Sequence, residues 1–234
     1  MEFVNVSIAL GGGILPAIFW LWFWLREDRK KPEPTGLILR TFIAGMVVVP
    51  LALPLQKLAV EMFAGATLIS VWVIIEETLK YAVALLVVLW HKAVDEPIDY
   101  IIYMITIALG FAALENALFI WNPLVAGDLS GSIITGNFRF LGATLLHVIA
   151  SGTIGVFLAM AFYKRDKVKL LAGTFGLFIA ILLHALFNLF IMDADGEQIL
   201  SIFLVVWLLV IGLFFLFEKV KQLEKRHLRL RTRK

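Results

Sequence analysis

The sequence contains no cysteine. Disulfides and thiolate metal centres are therefore excluded, and cysteine usage gives no hint of redox compartment. Charge is scarce as well: 17% of the 234 residues are charged and 61% are hydrophobic. An ordinary soluble domain is nearer about a quarter charged and half apolar. The mean hydropathy of +0.93 points to a solvent other than water for much of the surface. Familiar catalytic and nucleotide-binding signatures are missing too. There is no His-Glu-x-x-His, no Gly-x-Ser-x-Gly, no evident Ser/Lys pair and no Gly-rich phosphate loop ahead of a helix. Gly11-Gly12-Gly13 falls inside an apolar run and reads as close helix packing.

What the chain has in abundance is long apolar runs. A membrane helix needs roughly 20 apolar residues, and seven segments qualify, at about 4–25, 37–58, 68–90, 98–121, 140–163, 169–191 and 198–217. The expected fold is an all-α polytopic membrane bundle over residues 1–217, followed by a basic tail, 218–234. Pro50 and Pro54 predict a kink or early end in the second span, with Lys57 and Glu61 at the interface. The first span does not read as a cleaved signal peptide: it lacks a basic leader and ends in Trp-Leu-Trp-Phe-Trp, an interfacial belt.

Of the 21 Lys and Arg, all but Lys57, Arg139 and the intramembrane Lys80 fall in loops after odd-numbered spans or in the tail. They include Arg26, Arg29, Lys30, Lys31, Arg40, Lys92, Lys164, Arg165, Lys167 and Lys169. The positive-inside rule then predicts an N-terminus outside and a cytoplasmic C-terminus. Asp128, Asp193, Asp195 and Glu197 fall on the outer side. The basic tail reads as an anchor on anionic lipid of the bilayer, with no nucleic-acid partner implied.

The few charges inside the spans carry the functional signal. Glu76, Glu77, Lys80 and Glu115, if isolated in lipid, would together cost on the order of 10 kcal/mol. Lys80 lies one turn from both Glu76 and Glu77, which project about 100° apart. A self-neutralised pair accounts for one of these acids and not for both. Two further spans carry His147-x-x-x-Ser151 and His184-x-x-x-Asn188, each after two leucines. A lone buried histidine is commonly a packing residue, but two in matched contexts are harder to assign that way. His91 and His227 lie in cytoplasmic segments and are given no role. Counted from the predicted span ends, Glu76, Glu115, His147 and His184 all sit about 9–12 Å below the outer surface. Two histidines and a carboxylate with an open position is a catalytic zinc composition, and a second carboxylate beside them suits a general base.

The ordered set Glu76-Glu77-x-x-Lys80, Phe111-x-x-x-Glu115, His147-x-x-x-Ser151 and His184-x-x-x-Asn188 resembles the PrsW family of intramembrane proteases. That family sits within a superfamily of CAAX prenyl endopeptidase-like and bacteriocin-processing membrane proteases. The likeness covers about residues 68–191. The prenyl-protease branch usually has His at the place of Glu115 and Arg near that of Lys80, so this pattern is nearer PrsW. The resemblance implies cleavage of a membrane-anchored protein, an anti-sigma factor in the bacterial cases, at the extracytoplasmic side of a prokaryotic plasma membrane. On that basis Glu76 is the expected general base, and His147, His184 and Glu115 the expected zinc ligands. Glu77 and Lys80 support them, Asn188 is a candidate oxyanion donor, and Ser151 supplies a hydrogen bond. A metal-free variant has Glu76 and His147 activating water while His184 and Asn188 face the oxyanion. The competing class is a proton- or ion-coupled transporter, since buried acids, His and Lys also suit ion relays; no duplicated halves with broken helices support it. A catalytically dead membrane scaffold is a third reading.

Overall fold

A computed structural model describes residues 2–28, 31–192, 194 and 196–231. Arg29, Lys30, Asp193, Asp195 and residues 232–234, which entered the assignment of faces, lie outside the described residues. So do the side chains of Glu197, Arg226, His227, Arg229 and Arg231. Among the described residues there are eight α-helices and no strand: α1 Glu2–Leu25, α2 Thr35–Met62, α3 Gly65–Ala84, α4 Pro97–Val125, α5 Leu129–Phe138, α6 Thr144–Met160, α7 Asp166–Met192 and α8 Gly196–Arg231. A wider π-helical turn, Arg139–Ala143, joins α5 to α6, and another, Leu85–Leu89, extends α3.

Among the described residues, six helices, counting α5–α6 as one, are long and apolar enough to cross a membrane. α3 is outside that set because Glu76, Glu77 and Lys80 interrupt its apolar run, and all three are buried inside the bundle. The architecture is the expected all-α polytopic bundle.

α4 is the axis. Every residue from Pro97 to Ala113 is buried, so the helix has no solvent or lipid face over that length. Small residues let its neighbours approach. Gly45 of α2 and Gly110 of α4 lie back to back, and a Cβ on either would run into the carbonyl of Ile107 or of Phe42. Gly13 of α1 rests on the Ala113 carbonyl and Gly155 of α6 on that of Tyr100. In lipid, where no hydrophobic force pulls helices together, such close backbone contact is a main source of packing energy. α8 closes the bundle through an aromatic seam on α1, where Trp24 stacks on Phe214 with centroids 4.5 Å apart.

Three element bounds differ from those expected. α2 stays helical through Pro50 and Pro54 to Met62; membrane helices tolerate proline when neighbouring elements pack around the freed carbonyls. The fifth span begins earlier than position 140. The polar-looking stretch from Leu129 is helical, started by Asp128, whose side chain accepts a hydrogen bond from the Gly131 amide (2.8 Å); Gly127 (φ +80) makes the turn before it. Finally, α8 runs on as helix through the basic stretch to Arg231.

The two ends of the bundle differ. At one end Lys31 bridges Asp95 and Glu96, tying the α1–α2 connection to the start of α4. The hydrogen bond to Asp95, reinforced by Glu96, raises the Lys31 pKa above that of an ordinary lysine. The other end, where α3 and α6 begin and α4 and α7 finish, holds a cavity of about 420 Å³.

Candidate active site

The site grows from α3. Glu77 and Lys80, three residues apart on one face, pair at 2.5 Å with both side chains fully enclosed. The Lys80 ammonium also donates to His147 Nδ1 (3.1 Å) and lies 4.4 Å from the centre of the Phe111 ring. A desolvated ammonium thus has a carboxylate, a lone pair and an aromatic face. Of the two acids within its reach, Lys80 takes Glu77.

Glu77 Oε1 serves a second donor, His184 Nδ1, at 2.7 Å. His184 Nδ1 therefore carries a proton, and Nε2 lies on the other side of the ring. There it faces Glu76 Oε2 at 3.9 Å, beyond hydrogen-bond reach. The network fixes His147 in the opposite sense. Its Nδ1 accepts from Lys80, so Nε2 carries the proton and donates to Glu115 Oε2 at 3.0 Å. The two imidazoles stand edge to face with centroids 4.9 Å apart.

Glu115 is held from its other side by Arg139 Nη2, which donates to the same Oε2. Arg139 Nε donates to Asn116 Oδ1 (2.5 Å), Asn116 Nδ2 donates to Thr144 Oγ1 (2.9 Å), and the guanidinium lies 3.9 Å from the centre of the Phe119 ring. The π-helical turn explains how Arg139 reaches this point. On a regular α-helix, eight positions would leave Arg139 about 80° around the axis from His147. Counting one residue as inserted by the wider turn brings the two within about 20° of one face.

Glu76 is the exception. Its Oε1 accepts from Gln56 Nε2 (2.8 Å), while Oε2 is buried with no hydrogen-bond partner. Glu77 Oε2 is also without one, but only Glu76 lines the cavity, with Glu115, Arg139, His147, His184 and Asn188. The ion pairing singles out the same residue. Lys80 pairs with Glu77 and Arg139 with Glu115, so Glu76 is the acid of the three without a lysine or arginine partner.

These are the features a cation site needs. One donor atom each from Glu76, His147 and His184 lie within 4.8 Å of one another, and all three residues are buried. The unpartnered Glu76 Oε2, the adjacent His184 Nε2 and the nitrogen and oxygen donor set fit a divalent metal such as zinc. For His147 to join them, one ring nitrogen must give up Lys80 or Glu115. Glu115, the expected third donor, is instead engaged by Arg139.

The structure thus brings Glu76, Glu77, Lys80, Glu115, His147, His184 and Asn188 to one place. Ser151 is not part of the network: its Oγ is buried and has no partner. Sequence reasoning missed Arg139, counted above among the loop charges, and gave no role to Gln56 or Asn116. A lone arginine just ahead of an apolar span was the available signal.

Comparisons with known proteins agree with this assembly. The profile described as "PrsW family intramembrane metalloprotease" matches residues 33–216. The chain is 29% identical to "Protease PrsW" of Bacillus subtilis over 194 residues, covering 81% of this chain and 85% of that one. It is 26% identical to the protein of that name from Oceanobacillus iheyensis (88% and 93% covered) and 28% identical to that from Shouchella clausii (88% and 94%). No solved structure gives a significant match. The buried charges therefore belong to a protease and not to the carrier that the residues alone left open. With the profile spanning most of the chain and Glu76, Glu115, His147, His184 and Asn188 of the ordered motif at one cavity, this protein belongs to the PrsW family of intramembrane proteases.

Proposed function

We propose that the chain is a zinc-dependent intramembrane endopeptidase that cleaves a membrane-anchored protein, of the anti-sigma-factor type, close to the extracytoplasmic face. The observation that carries the reading is the unpartnered Glu76 Oε2 turned toward His184 Nε2 inside a cavity that also holds His147 and Glu115. Glu76, His147 and His184 would hold the metal. Bound there, zinc would supply Lewis-acid polarisation of the scissile carbonyl and of a water.

The protein's own groups do the rest. Glu77 holds His184 in the tautomer that offers Nε2, and Lys80 keeps Glu77 on that duty. The Glu115 carboxylate, at the cavity wall, takes the proton from the attacking water on its other oxygen, a role that sequence reasoning had given to Glu76. Asn188, one turn beyond His184, lines the same cavity and donates to the developing oxyanion. The remaining wall is apolar, with Trp72, Phe119, Phe138, Phe187 and Phe203 among its residues, which suits an unwound stretch of membrane-anchored chain and limits water. The positive-inside rule, applied to Lys31, Lys92, Lys164 and Lys169 on or beside connections away from the cavity end, supports the outward orientation.

The test is cleavage of co-expressed single-span membrane proteins, with metal analysis of the purified enzyme. Glu76→Gln and His184→Ala are each expected to lower cleavage by about 10²-fold or more. Wild type is expected to retain stoichiometric zinc that His147→Ala loses. Full activity in both variants would refute the proteolytic assignment. Activity with no metal in the wild type would overturn the zinc reading alone.

A further inference from the structure

Arg139 is the one charged side chain at the cavity that the reading above leaves without a task. We propose that it is a positioning residue for the same reaction: its guanidinium fixes the Glu115 carboxylate in the cavity wall beside His147. This rests on the proteolytic reading and adds a residue to it.

Three observations converge. First, Arg139 is over-determined. Nη2 donates to Glu115 Oε2, Nε donates to Asn116 Oδ1, and the planar group packs on Phe119, so its orientation is set from three sides. Lysine offers a point charge and could not satisfy both acceptors in this fork geometry. Second, Asn116 is anchored by Thr144. Asn116 and Glu115 lie on α4, while Thr144 and Arg139 lie on the α5–α6 rod. The clamp therefore ties the two elements that carry Glu115 and His147. Third, the π-helical turn Arg139–Ala143 brings Arg139 onto the face of His147. Such turns recur at functional sites.

The consequence is specific. A carboxylate on a flexible side chain at a cavity rim samples several rotamers; one held by a fixed guanidinium presents its oxygens at a constant place. Removing the guanidinium should lower kcat and leave substrate affinity largely intact, since Arg139 acts through Glu115. Loss of an outer supporting partner typically lowers activity about 10- to 100-fold.

The experiment uses full-length enzyme in proteoliposomes with a single-span reporter that the wild type cleaves. Arg139→Gln is expected to reduce kcat about 10- to 100-fold with KM within about twofold. Arg139→Lys should recover part of the loss. Arg139→Gln combined with Glu115→Gln should be no worse than the poorer single variant. Asn116→Leu, which loosens the clamp but keeps the charge pair, supplies a second reading should Arg139→Gln not fold, with a smaller fall in kcat expected. The same double-mutant cycle read in melting temperature should be non-additive and needs no substrate. Unchanged kcat in folded Arg139→Gln or in Asn116→Leu, a loss confined to KM, or strict additivity with Glu115→Gln would each overturn the proposal. A wild type that cleaves no reporter would instead count against the proteolytic reading.

Discussion

Two ion pairs stand a few ångströms apart on opposite sides of His147, and they are not equivalent. Glu77–Lys80 is wholly enclosed, while Glu115–Arg139 opens to the cavity with side chains 16% and 15% exposed. The chemistry is the same, carboxylate to cation, but the consequences of breaking it differ. An enclosed charge that loses its partner cannot recruit water and bears its desolvation alone. A charge at a wet rim can be rehydrated. The inner pair therefore acts as scaffold, setting His184 through Glu77 and His147 through Lys80. The outer pair is where a carboxylate can meet a substrate or a water. Glu76, with one oxygen bonded to Gln56 and one unpartnered, lies between these extremes: buried like the inner pair, available like the outer.

The largest effect should come from breaking the inner pair. Lys80→Met strips Glu77 of its counter-charge and His147 of its donor. It should destabilise the protein by about 3–5 kcal/mol, read as a large fall in melting temperature in detergent or as loss of folded protein. Adding Glu77→Gln should restore much of the stability but not the cleavage, because His184 would still lack its charged partner. If Lys80→Met is as stable as wild type, the inner pair is not the scaffold described here.

Glu76→Gln tests the middle term. Gln56 still has an oxygen to bond, so stability should change by about 1 kcal/mol or less, while cleavage falls by about 10²-fold or more. A stability loss matching that of Lys80→Met would place Glu76 with the scaffold. Glu115→Gln should be comparably mild in stability, about 1 kcal/mol or less, because the amide oxygen can still accept from Arg139 at the rim. Its cleavage should nevertheless be lost. Comparison of its melting temperature with that of Lys80→Met is the direct measure of how far the two pairs differ.

Much of this arrangement was legible in the residues. Apolar runs of membrane length give the helices, because lipid admits no other backbone solution for them. The motif residues on α3, α4, α6 and α7 stand out because a charge in such a run is too costly to be accidental. What escaped notice escaped for physical reasons. α5 is rich in Ser, Gly, Thr and Asn, which in isolation favour turns; its helical state depends on packing beside α4 and on the Asp128 cap. Pro50 and Pro54 are read as breakers because in water they are. Arg139 looked like a loop charge because its place in the site depends on one extra residue in a helical turn, and nothing in Arg-Phe-Leu-Gly-Ala announces that turn. The division of labour between Glu76 and Glu77 needed the rotation of α3 against α7, which no local pattern carries.

The smallest expected effect concerns Ser151, one turn along α6 from His147 and assigned above a supporting hydrogen bond. Its Oγ is fully buried and has no partner. An unpaired buried hydroxyl stabilises nothing; its removal returns the cost of burying it and opens only a small void. Ser151→Ala should therefore be neutral or stabilising by up to about 1 kcal/mol, with cleavage within about twofold of wild type. Thr144, three residues before His147, bonds Asn116 and gives the contrast: Thr144→Val removes a used hydroxyl of nearly the same size, and should cost about 1–3 kcal/mol by leaving Asn116 Nδ2 unpaired. The difference in melting temperature between these two deletions isolates what a satisfied hydroxyl contributes beside this site. Should Ser151→Ala lose cleavage by tenfold or more while its melting temperature holds, the hydroxyl is engaged in the substrate-bound enzyme. In that case the enclosed side of His147 is not a static scaffold, and the division between an inner wall and a working rim fails at that residue.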